Sequence, residues 1–233
     1  MGVHSQHAVK LYHFWSDSVS QRVRMALKCK SVEFLDFPLA YHDDETFFEL
    51  GLARKVPVLQ LADGNLLTDA DEILLRIDEL FPNEPYLFDG VIDEPAWQAL
   101  LQWRQKVDVV LTRLLTPALL AYEDISENQQ TIDDFKSVAD SKFKMSTEEL
   151  ANDRYAAYDQ LSRMTNLPQL AKHLSKSRFY MGQLSIADIV LTADLFALQL
   201  LDGISLPIDL LYYFSRVEEA CQVDLKEGLI INF

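Results

Sequence analysis

The chain has 233 residues, with 21 basic and 36 acidic side chains that give a net charge of −15. Its length allows one large domain or two smaller ones, and its 49% hydrophobic content suffices for a full core, which argues against disorder. Such an acidic surface repels phosphate groups, so we expect no direct contact with nucleic acid or with an anionic membrane. The charge does not argue against a protein partner.

The distribution of glycine, cysteine and histidine argues against several kinds of site. The seven glycines are too widely spaced to form a phosphate-binding loop. The two cysteines, Cys29 and Cys221, are too few for a disulfide framework or a thiolate zinc site, and the five histidines form no H-E-x-x-H motif. We therefore expect no bound metal.

The first residues of the sequence, Met1 to Lys10, are polar and lack the apolar segment of an export signal. No uninterrupted apolar run approaches the roughly 18 residues that a membrane-spanning helix needs. We therefore expect a cytoplasmic protein without a membrane partner.

The first part of the chain, from Val9 to about Phe81, alternates short apolar runs with amphipathic segments. This alternation predicts the element order βαβαββα, which is typical of a small α/β domain. In chain order, we predict strands over 9–14, 32–37, 56–61 and 66–68, and helices over 18–30, 44–50 and 69–81.

The rest of the chain shows almost no strand pattern and predicts helices only. The longest predicted helix covers 94–122, and Pro117 inside it predicts a kink or a break. Further helices are predicted over 146–164 and 185–200. The acidic segment 124–140 predicts a mobile connection or a weak helix.

This change of pattern divides the chain into three segments. Residues 1–82 form the predicted α/β domain, residues 83–93 form a linker that contains Pro85, and residues 94–233 form the all-α domain. The predicted fold class is therefore an α/β domain followed by an all-α domain.

Two local sequences are more specific than this outline. Val56-Pro57 opens a predicted strand, a position where proline is tolerated because it has no N–H to donate to the sheet. The S-x-A-D sequence from Ser185 to Asp188 precedes an apolar helix and predicts a capping box, in which these two residues bond each other's backbone amides.

In this order, these features resemble the cytosolic glutathione transferase superfamily, and most closely its omega-like, zeta-like and stringent-starvation-protein branches. The resemblance covers about Lys10 to Leu200. It implies a thioredoxin-like N-terminal domain with a cis-proline strand, an all-helical C-terminal domain, a homodimer, and glutathione as a co-substrate. The matching segments are 22–27, 55–59, 66–70, 77–82 and 185–189.

In the serine and cysteine branches of this superfamily, the residue that activates the glutathione thiol lies five positions before the arginine of the R-V-R segment. Counting back from Arg22 gives Asp17, and a carboxylate neither donates a hydrogen bond to a thiolate nor favours its charge. Ser16 and Ser18 flank it and are the candidate catalytic residues, because a helix N-terminus stabilises a thiolate. The alternative is that Asp17 or Ser18 only caps the helix.

The resemblance also implies a set of glutathione-binding residues. The backbone of Val56 pairs with the cysteinyl part of the tripeptide, and Asp69 matches the acid that binds the γ-glutamyl amine. Ala70 replaces the serine that follows this acid in the family. The complete predicted set is Lys55, Val56, Pro57, Asp69 and Ala70.

Three residues depart from the family pattern at this site, namely Asp17, Asp43 and Ala70. Asp43 stands where the omega-like branch has a lysine for the glycyl carboxylate, and Lys55 or Arg54 is the candidate to replace that lysine. Each departure weakens glutathione binding by about 1 kcal/mol or more, which sums to roughly a hundredfold in affinity.

Two functions fit this pattern. The first is an enzyme that binds glutathione and conjugates it to a small electrophile, with the helix over 94–122 as an apolar wall. The absence of a cysteine at the start of the first helix argues against thiol transfer, and Cys29 is predicted to be a structural thiol. The alternative is a non-catalytic binding protein, such as a stringent-starvation-protein-like regulator that associates with RNA polymerase.

Overall fold

The computed structural model describes residues 8–230 of the chain. The segment Met1 to His7, which holds most of the sequence inspected for an export signal, and residues 231–233 lie outside the described part. Within residues 8–230, no helix is both long and apolar enough to cross a membrane. In the same part of the chain, no group of three or more His, Cys, Asp or Glu side chains is arranged to hold a metal ion.

A four-stranded mixed sheet forms the centre of the N-terminal domain. Its strands are β1 (Val9–His13), β2 (Phe34–Pro38), β3 (Val58–Gln60) and β4 (Leu66–Leu67). The spatial order is β2-β1-β3-β4, with β1 parallel to β2 and antiparallel to β3, and β4 antiparallel to β3. The Val56–Pro57 peptide bond just before β3 is cis, as the family resemblance implies.

Four helices complete this thioredoxin-like domain. They are α1 (Ser18–Cys29), α2 (Glu45–Leu50), α3 (Ala70–Leu75) and α4 (Ile77–Leu80). The single helix predicted over 69–81 is therefore wrong, because the chain leaves the helix at Arg76. Ile73 and Ile77 are buried at helical spacing on both sides of this break, so the apolar pattern gives no sign of it.

The C-terminal domain is helical, as predicted. Its helices are α5 (Glu94–Leu115), α6 (Glu123–Ser126), α7 (Gln129–Phe143), α8 (Thr147–Asn152), α9 (Arg154–Thr165), α10 (Leu167–Lys176), α11 (Ile186–Leu195) and α12 (Ile208–Cys221). Two 3-10 helices follow α5 and α11, over Thr116–Ala121 and Phe196–Leu200. The apolar segment predicted as one helix over 185–200 therefore changes its helical type near the end.

Pro117 breaks the longest helix, as predicted. It lies in the 3-10 turn directly after α5, near the start of that turn, where its missing N–H is tolerated. The single helix predicted over 146–164 is wrong, since α8 and α9 meet at Asp153. Leu150 and Ala157 are buried on either side of this junction, so the apolar pattern continues across it.

Of the two alternatives predicted for the acidic segment 124–140, the helix is correct, because α6 and α7 cover most of it. Asn128 caps α7, and its side-chain oxygen accepts a hydrogen bond from the amide of Thr131 at 3.0 Å. Thr131, Phe135 and Ala139 form a buried stripe at four-residue spacing that fixes α7 to the protein. The many acidic residues around this short stripe hide it in the sequence.

Helix α1 connects the two domains. It packs against α3 in its own domain and against α11 and α12 in the other. Helix α11 is buried along its whole length and begins with the predicted capping box. Asp188 accepts hydrogen bonds from the amide of Ser185 at 2.9 Å and from the hydroxyl of Tyr213 at 2.8 Å, which fastens α11 to α12.

Candidate functional site

Two cavities adjoin where the thioredoxin-like domain meets the helical domain. The larger has a volume of about 630 Å³ and the smaller a volume of about 140 Å³. Val19, Asp71 and Arg104 line both cavities. A molecule that fills the smaller cavity therefore reaches the edge of the larger one.

The smaller cavity brings together all the residues that the family resemblance assigns to glutathione binding. They are Lys55, Val56, Pro57, Asp69 and Ala70. Asp69 caps α3 by accepting the amide of Glu72 at 3.0 Å, and its exposed carboxylate keeps further lone pairs for a ligand. The cavity thus presents backbone groups together with two carboxylates, Asp69 and Asp71, and two cations, Lys55 and Arg104, a combination that suits a zwitterionic ligand.

Asp17 caps helix α1, which is one of the two roles considered for it. Its carboxylate accepts hydrogen bonds from the amide of Ser20 at 2.8 Å and from the hydroxyl of Ser20 at 2.6 Å. Burial raises the pKa of Asp17 above its usual value, and the hydrogen bonds from Ser20 offset this only in part. Asp17 lines the larger cavity, and the family resemblance implies a hydroxyl or a thiol at its position in the chain.

The two candidate catalytic serines both line the larger cavity, but they differ in their hydrogen bonds. The hydroxyl of Ser16 donates to Asp124 at 2.6 Å, and its amide lies 3.2 and 3.3 Å from the same carboxylate. Ser18 is the first residue of α1, and its side chain makes no hydrogen bond within residues 8–230. Of the two candidate serines, Ser18 is therefore the one whose hydroxyl hydrogen is not directed at Asp124.

Asp124 is a component of this region that the sequence does not reveal. It belongs to α6 of the helical domain, is almost completely buried, and its backbone carbonyl accepts the amide of Tyr41 at 2.8 Å. Burial raises the pKa of Asp124 to about 6, although the hydrogen bonds from Ser16 lower it. Because Ser16 is 108 positions away in the chain, no local motif connects the two residues.

A buried ion pair crosses the two domains beside the larger cavity. Arg22 of α1 binds Asp194 of α11, with an Nε to Oδ1 distance of 2.8 Å. Arg104 of α5 lies 3.6 Å from the other oxygen of Asp194 and donates to Asp71 of α3 at 2.7 Å. These contacts hold α1, α3, α5 and α11 in fixed positions around both cavities.

The rest of the larger cavity has an apolar wall and a closing strap. The wall comes from the predicted long helix and the two 3-10 turns; its residues are Leu101, Val107, Leu111, Leu115, Leu119, Phe196 and Ala197. The strap, residues 223–230, reaches the first domain through the pair between Glu227 and Arg24. It also contacts α6 of its own helical domain, where the backbone carbonyl of Gly228 accepts the amide of Glu123 at 2.8 Å. Leu225 and Glu227 line the cavity from this strap.

Two further sequence expectations fall outside the cavities. Asp43 does not line either cavity, and its carboxylate instead accepts the amide of Thr46 at 2.9 Å and its hydroxyl at 2.8 Å, at the start of α2. The thiols of Cys29 and Cys221 are buried and unbridged, and neither lines a cavity. This placement agrees with a structural thiol at Cys29.

Comparison with known families identifies both parts of the chain. Residues 18–80 match the family model "Glutathione S-transferase, N-terminal domain", and residues 99–228 match "Glutaredoxin 2, C terminal domain". The second match alone covers more than half of the chain. The protein therefore belongs to the glutathione transferase superfamily, with a C-terminal domain of the glutaredoxin 2 family.

Curated relatives match a shorter region. Glutathione S-transferase U1 from Arabidopsis thaliana is 40% identical over 85 residues, which are 35% of this chain and 37% of that protein. Maleylacetoacetate isomerase from Pseudomonas aeruginosa is 28% identical over 85 residues, which are 34% of this chain and 40% of that protein. The chain thus matches less than half the length of these relatives.

Solved structures resemble the chain along almost its whole length. Glutaredoxin 2 from Salmonella typhimurium, in complex with glutathione, has a TM-score of 0.78 at 23% identity and covers 97% of this chain and 100% of its own. A glutathione S-transferase from Ceriporiopsis subvermispora, also in complex with glutathione, has a TM-score of 0.70 at 15% identity. The match covers 92% of this chain and 96% of that chain. At these identities the likeness establishes the fold.

Proposed function

We propose that this protein is a glutathione transferase that binds glutathione in the smaller cavity and conjugates it to a small electrophile held in the larger one. The observation that carries this proposal is the adjacency of the two cavities. The smaller one contains the whole predicted glutathione-binding set, and the larger one contains Ser18 at the start of α1 together with an apolar wall. Glutathione and an electrophile can therefore meet at the start of this helix.

The residues of the smaller cavity would orient the tripeptide. The backbone of Val56 pairs with its cysteinyl part, Asp69 binds the γ-glutamyl amine, and Lys55 lies on the side of the glycyl carboxylate. The amide of Ala70 remains for the γ-glutamyl carboxylate, although the family's hydroxyl is lost there. Ser18 donates its hydrogen to the thiolate, which the positive end of the α1 dipole also favours.

Conjugation fits the cysteine positions better than thiol–disulfide exchange does. Exchange needs an accessible protein thiolate that attacks a disulfide. Both cysteines of this chain are buried, with Cys29 4% exposed and Cys221 0% exposed, and neither lines a cavity. The nucleophile in the larger cavity would therefore be the thiol of glutathione itself.

Titration calorimetry of glutathione at neutral pH, followed by a spectrophotometric assay with a chlorodinitrobenzene, tests the proposal. We expect a dissociation constant between micromolar and low millimolar, and measurable conjugation. Ser18→Ala should lower kcat/KM by about a hundredfold, the usual loss when one donor to a developing anion is removed. Ser175→Ala removes an exposed hydroxyl on α10, far from both cavities in the chain, and should leave kcat/KM unchanged.

No binding heat at several millimolar glutathione would overturn the proposal. That result would favour the non-catalytic alternative, in which Asp17 only caps α1 and the fold serves a protein partner. A pull-down with RNA polymerase as bait would then test the stringent-starvation-protein-like role. We further propose that the protein is cytoplasmic and acts as a homodimer, the latter because the family resemblance implies it. Sedimentation velocity measures the oligomeric state directly.

A further inference from the structure

The hydroxyl of Ser16 is bound by a carboxylate from the other domain. Its Oγ lies 2.6 Å from Oδ2 of Asp124, and an ionised carboxylate only accepts hydrogen bonds. The serine hydrogen therefore points at Asp124, away from any ligand. The amide of Ser16, 3.2 Å from Oδ1, fixes the carboxylate in this orientation.

Because the Ser16 hydroxyl donates its hydrogen to Asp124, it can only accept a hydrogen bond from a ligand in the cavity. Ser16 lines the larger cavity beside Asp17 and Ser18, so its remaining lone pairs are placed to accept a hydrogen from a ligand there. Ser16 and Ser18 thus have complementary roles. Ser18 has a hydrogen to donate to a thiolate, and Ser16 has a lone pair to receive the proton of a thiol.

We propose that Ser16 and Asp124 form a relay that removes the thiol proton of glutathione during conjugation, an inference that rests on the proposed function. The thiol proton passes to Oγ of Ser16 while the serine's own proton passes to Oδ2 of Asp124. The sulfur electron pair then forms the bond to the electrophilic carbon, whose leaving group departs with its bonding electrons. Protonated Asp124 returns its proton through Ser16 to solvent after the product leaves.

The surroundings of Asp124 set the pH at which such a relay operates. Burial raises the pKa of this carboxyl to about 6, while the nearby His13 lowers it. Tyr41 and Tyr122 also face it, and burial raises the pKa of both, so both stay neutral near pH 7. His13 itself lies against Asp36, with 2.9 Å between Nε2 and Oδ1.

The relay is tested by the pH dependence of conjugation, measured from about pH 5 to about pH 9 on the full chain. For the wild type, kcat/KM should rise with a midpoint near the pKa of Asp124, about 6. In Asp124→Asn and Ser16→Ala, kcat/KM at neutral pH should fall by about a hundredfold. The midpoint of its pH profile should move toward the pKa of a free thiol, about 8.5. The double variant should lose no more than either single one.

Glu123→Gln is the matched control. It removes one carboxylate from the adjacent position of α6, but this side chain is exposed and does not contact Ser16. Its pH profile should follow the wild type. A purely structural role for Asp124 would raise KM or lower the folded fraction without moving the midpoint, so KM for glutathione and circular dichroism are recorded for each variant.

An active wild type whose midpoint is unchanged in both Asp124→Asn and Ser16→Ala would overturn the relay and leave the proposed function standing. If Asp124→Asn does not fold, Ser16→Ala decides alone, because it keeps the buried carboxylate. A wild type that binds no glutathione and conjugates nothing at any pH would overturn the proposed function and the relay together.

Discussion

At the scale of single residues, Asp17 combines a structural gain with a chemical cost. Its hydrogen bonds from Ser20 stabilise the start of α1, and its carboxylate lines the cavity in which we place a thiolate. A negative charge beside a thiol raises the pKa of that thiol. Serine caps helices about as well as aspartate and carries no charge.

Asp17→Ser should therefore increase activity without loss of stability. The free energy of unfolding should stay within about 1 kcal/mol of the wild type, because the cap is kept. At neutral pH, kcat/KM should rise by about tenfold as the pKa of bound glutathione falls. Asp17→Ala separates the two effects, since it removes the charge but also the cap; equal rates in all three proteins would contradict this prediction.

The buried carboxyl of Asp124 should also make stability depend on pH. Its pKa is about 6 in the folded protein and near 4 when unfolded, so the folded state holds an extra proton between these values. Stability from this group is fully present below about pH 4 and is lost as the pH rises through about 6. Chemical denaturation at several pH values measures it.

As the pH rises from about 4 to about 7, the unfolding free energy of Asp124→Asn should increase by on the order of 3 kcal/mol relative to that of the wild type, because asparagine does not titrate. Glu123→Gln, one position earlier and exposed, should show no such gain. Parallel stability curves for wild type and Asp124→Asn would show that the carboxyl titrates at its usual pKa.

The candidate site could be predicted only where its residues follow one another in local motifs. Val56-Pro57 and Asp69 belong to short motifs that a family resemblance carries, and the structure brings them to one cavity. Asp124 belongs to no such motif. Its role depends on a hydrogen bond to Ser16 that exists only because the two domains pack together, and its acidic surroundings predicted only a mobile connection or a weak helix.

At the scale of elements, a buried ion pair fastens the chain between the domains. Nζ of Lys30 donates to Asp78 at 2.7 Å and to the backbone carbonyls of Asn83 and Pro85. The carboxylate of Asp78 accepts the backbone amides of the next turn, those of Leu87, Phe88 and Asp89. One lysine and one aspartate thus position most of the segment between α4 and α5.

Asp78→Asn should cost about 3–5 kcal/mol of unfolding free energy at neutral pH, because it leaves the buried ammonium of Lys30 without its counter-charge. Burial works to raise the pKa of Asp78, but the hydrogen bonds from Lys30 and the amides outweigh it and hold that pKa below its usual value. The contribution is therefore present above about pH 4 and is lost as the pH falls through the folded value.

Denaturation at neutral pH and at about pH 3 measures this loss. The difference in unfolding free energy between the wild type and Asp78→Asn should be smaller at the lower pH. Arg76→Ala, which removes only exposed ion pairs to Glu72 and Glu79, should remain close to the wild type at both pH values. A gap that stays constant with pH would exclude an ionised Asp78 in the folded protein.

The boundaries of helices are the part of the fold that apolar sequence patterns predict least well. Helix α3 ends and α4 begins at Arg76, yet Ile73 and Ile77 keep helical spacing across that point. The break at Pro117, in contrast, was predictable because proline has no N–H to donate. Apolar periodicity reports which face is buried, whereas a helix end is visible in sequence only through a residue that forces it.

At the scale of the whole molecule, the strap over residues 223–230 depends on one glycine. Gly228 has φ of +78°, and a Cβ at this position would lie 2.2 Å from Cγ of Trp15. The glycine therefore allows the strap to lie flat against the first domain. In this position, Leu225 and Glu227 of the strap line the larger cavity.

Gly228→Ala should displace the strap and cost more than the roughly 1 kcal/mol of a positive φ alone, in the range of about 2–4 kcal/mol. Gly182→Ala is the matched control, because Gly182 also has a positive φ, +86°, but has open space around it. Denaturation gives the energies, and limited proteolysis near the C-terminus reports the strap. Equal costs at the two glycines would contradict close contact with Trp15.

Helix α1 has a consequence for how proteins with this fold can diversify. One side of α1 belongs to its own domain, and another packs on α11 and α12 and carries Arg22 to the buried Asp194. A first domain recombined with a foreign second domain would leave that arginine buried without a counter-charge unless an acid stood opposite, a loss of about 3–5 kcal/mol. Compatibility between exchanged halves therefore depends in large part on the surface of this one helix.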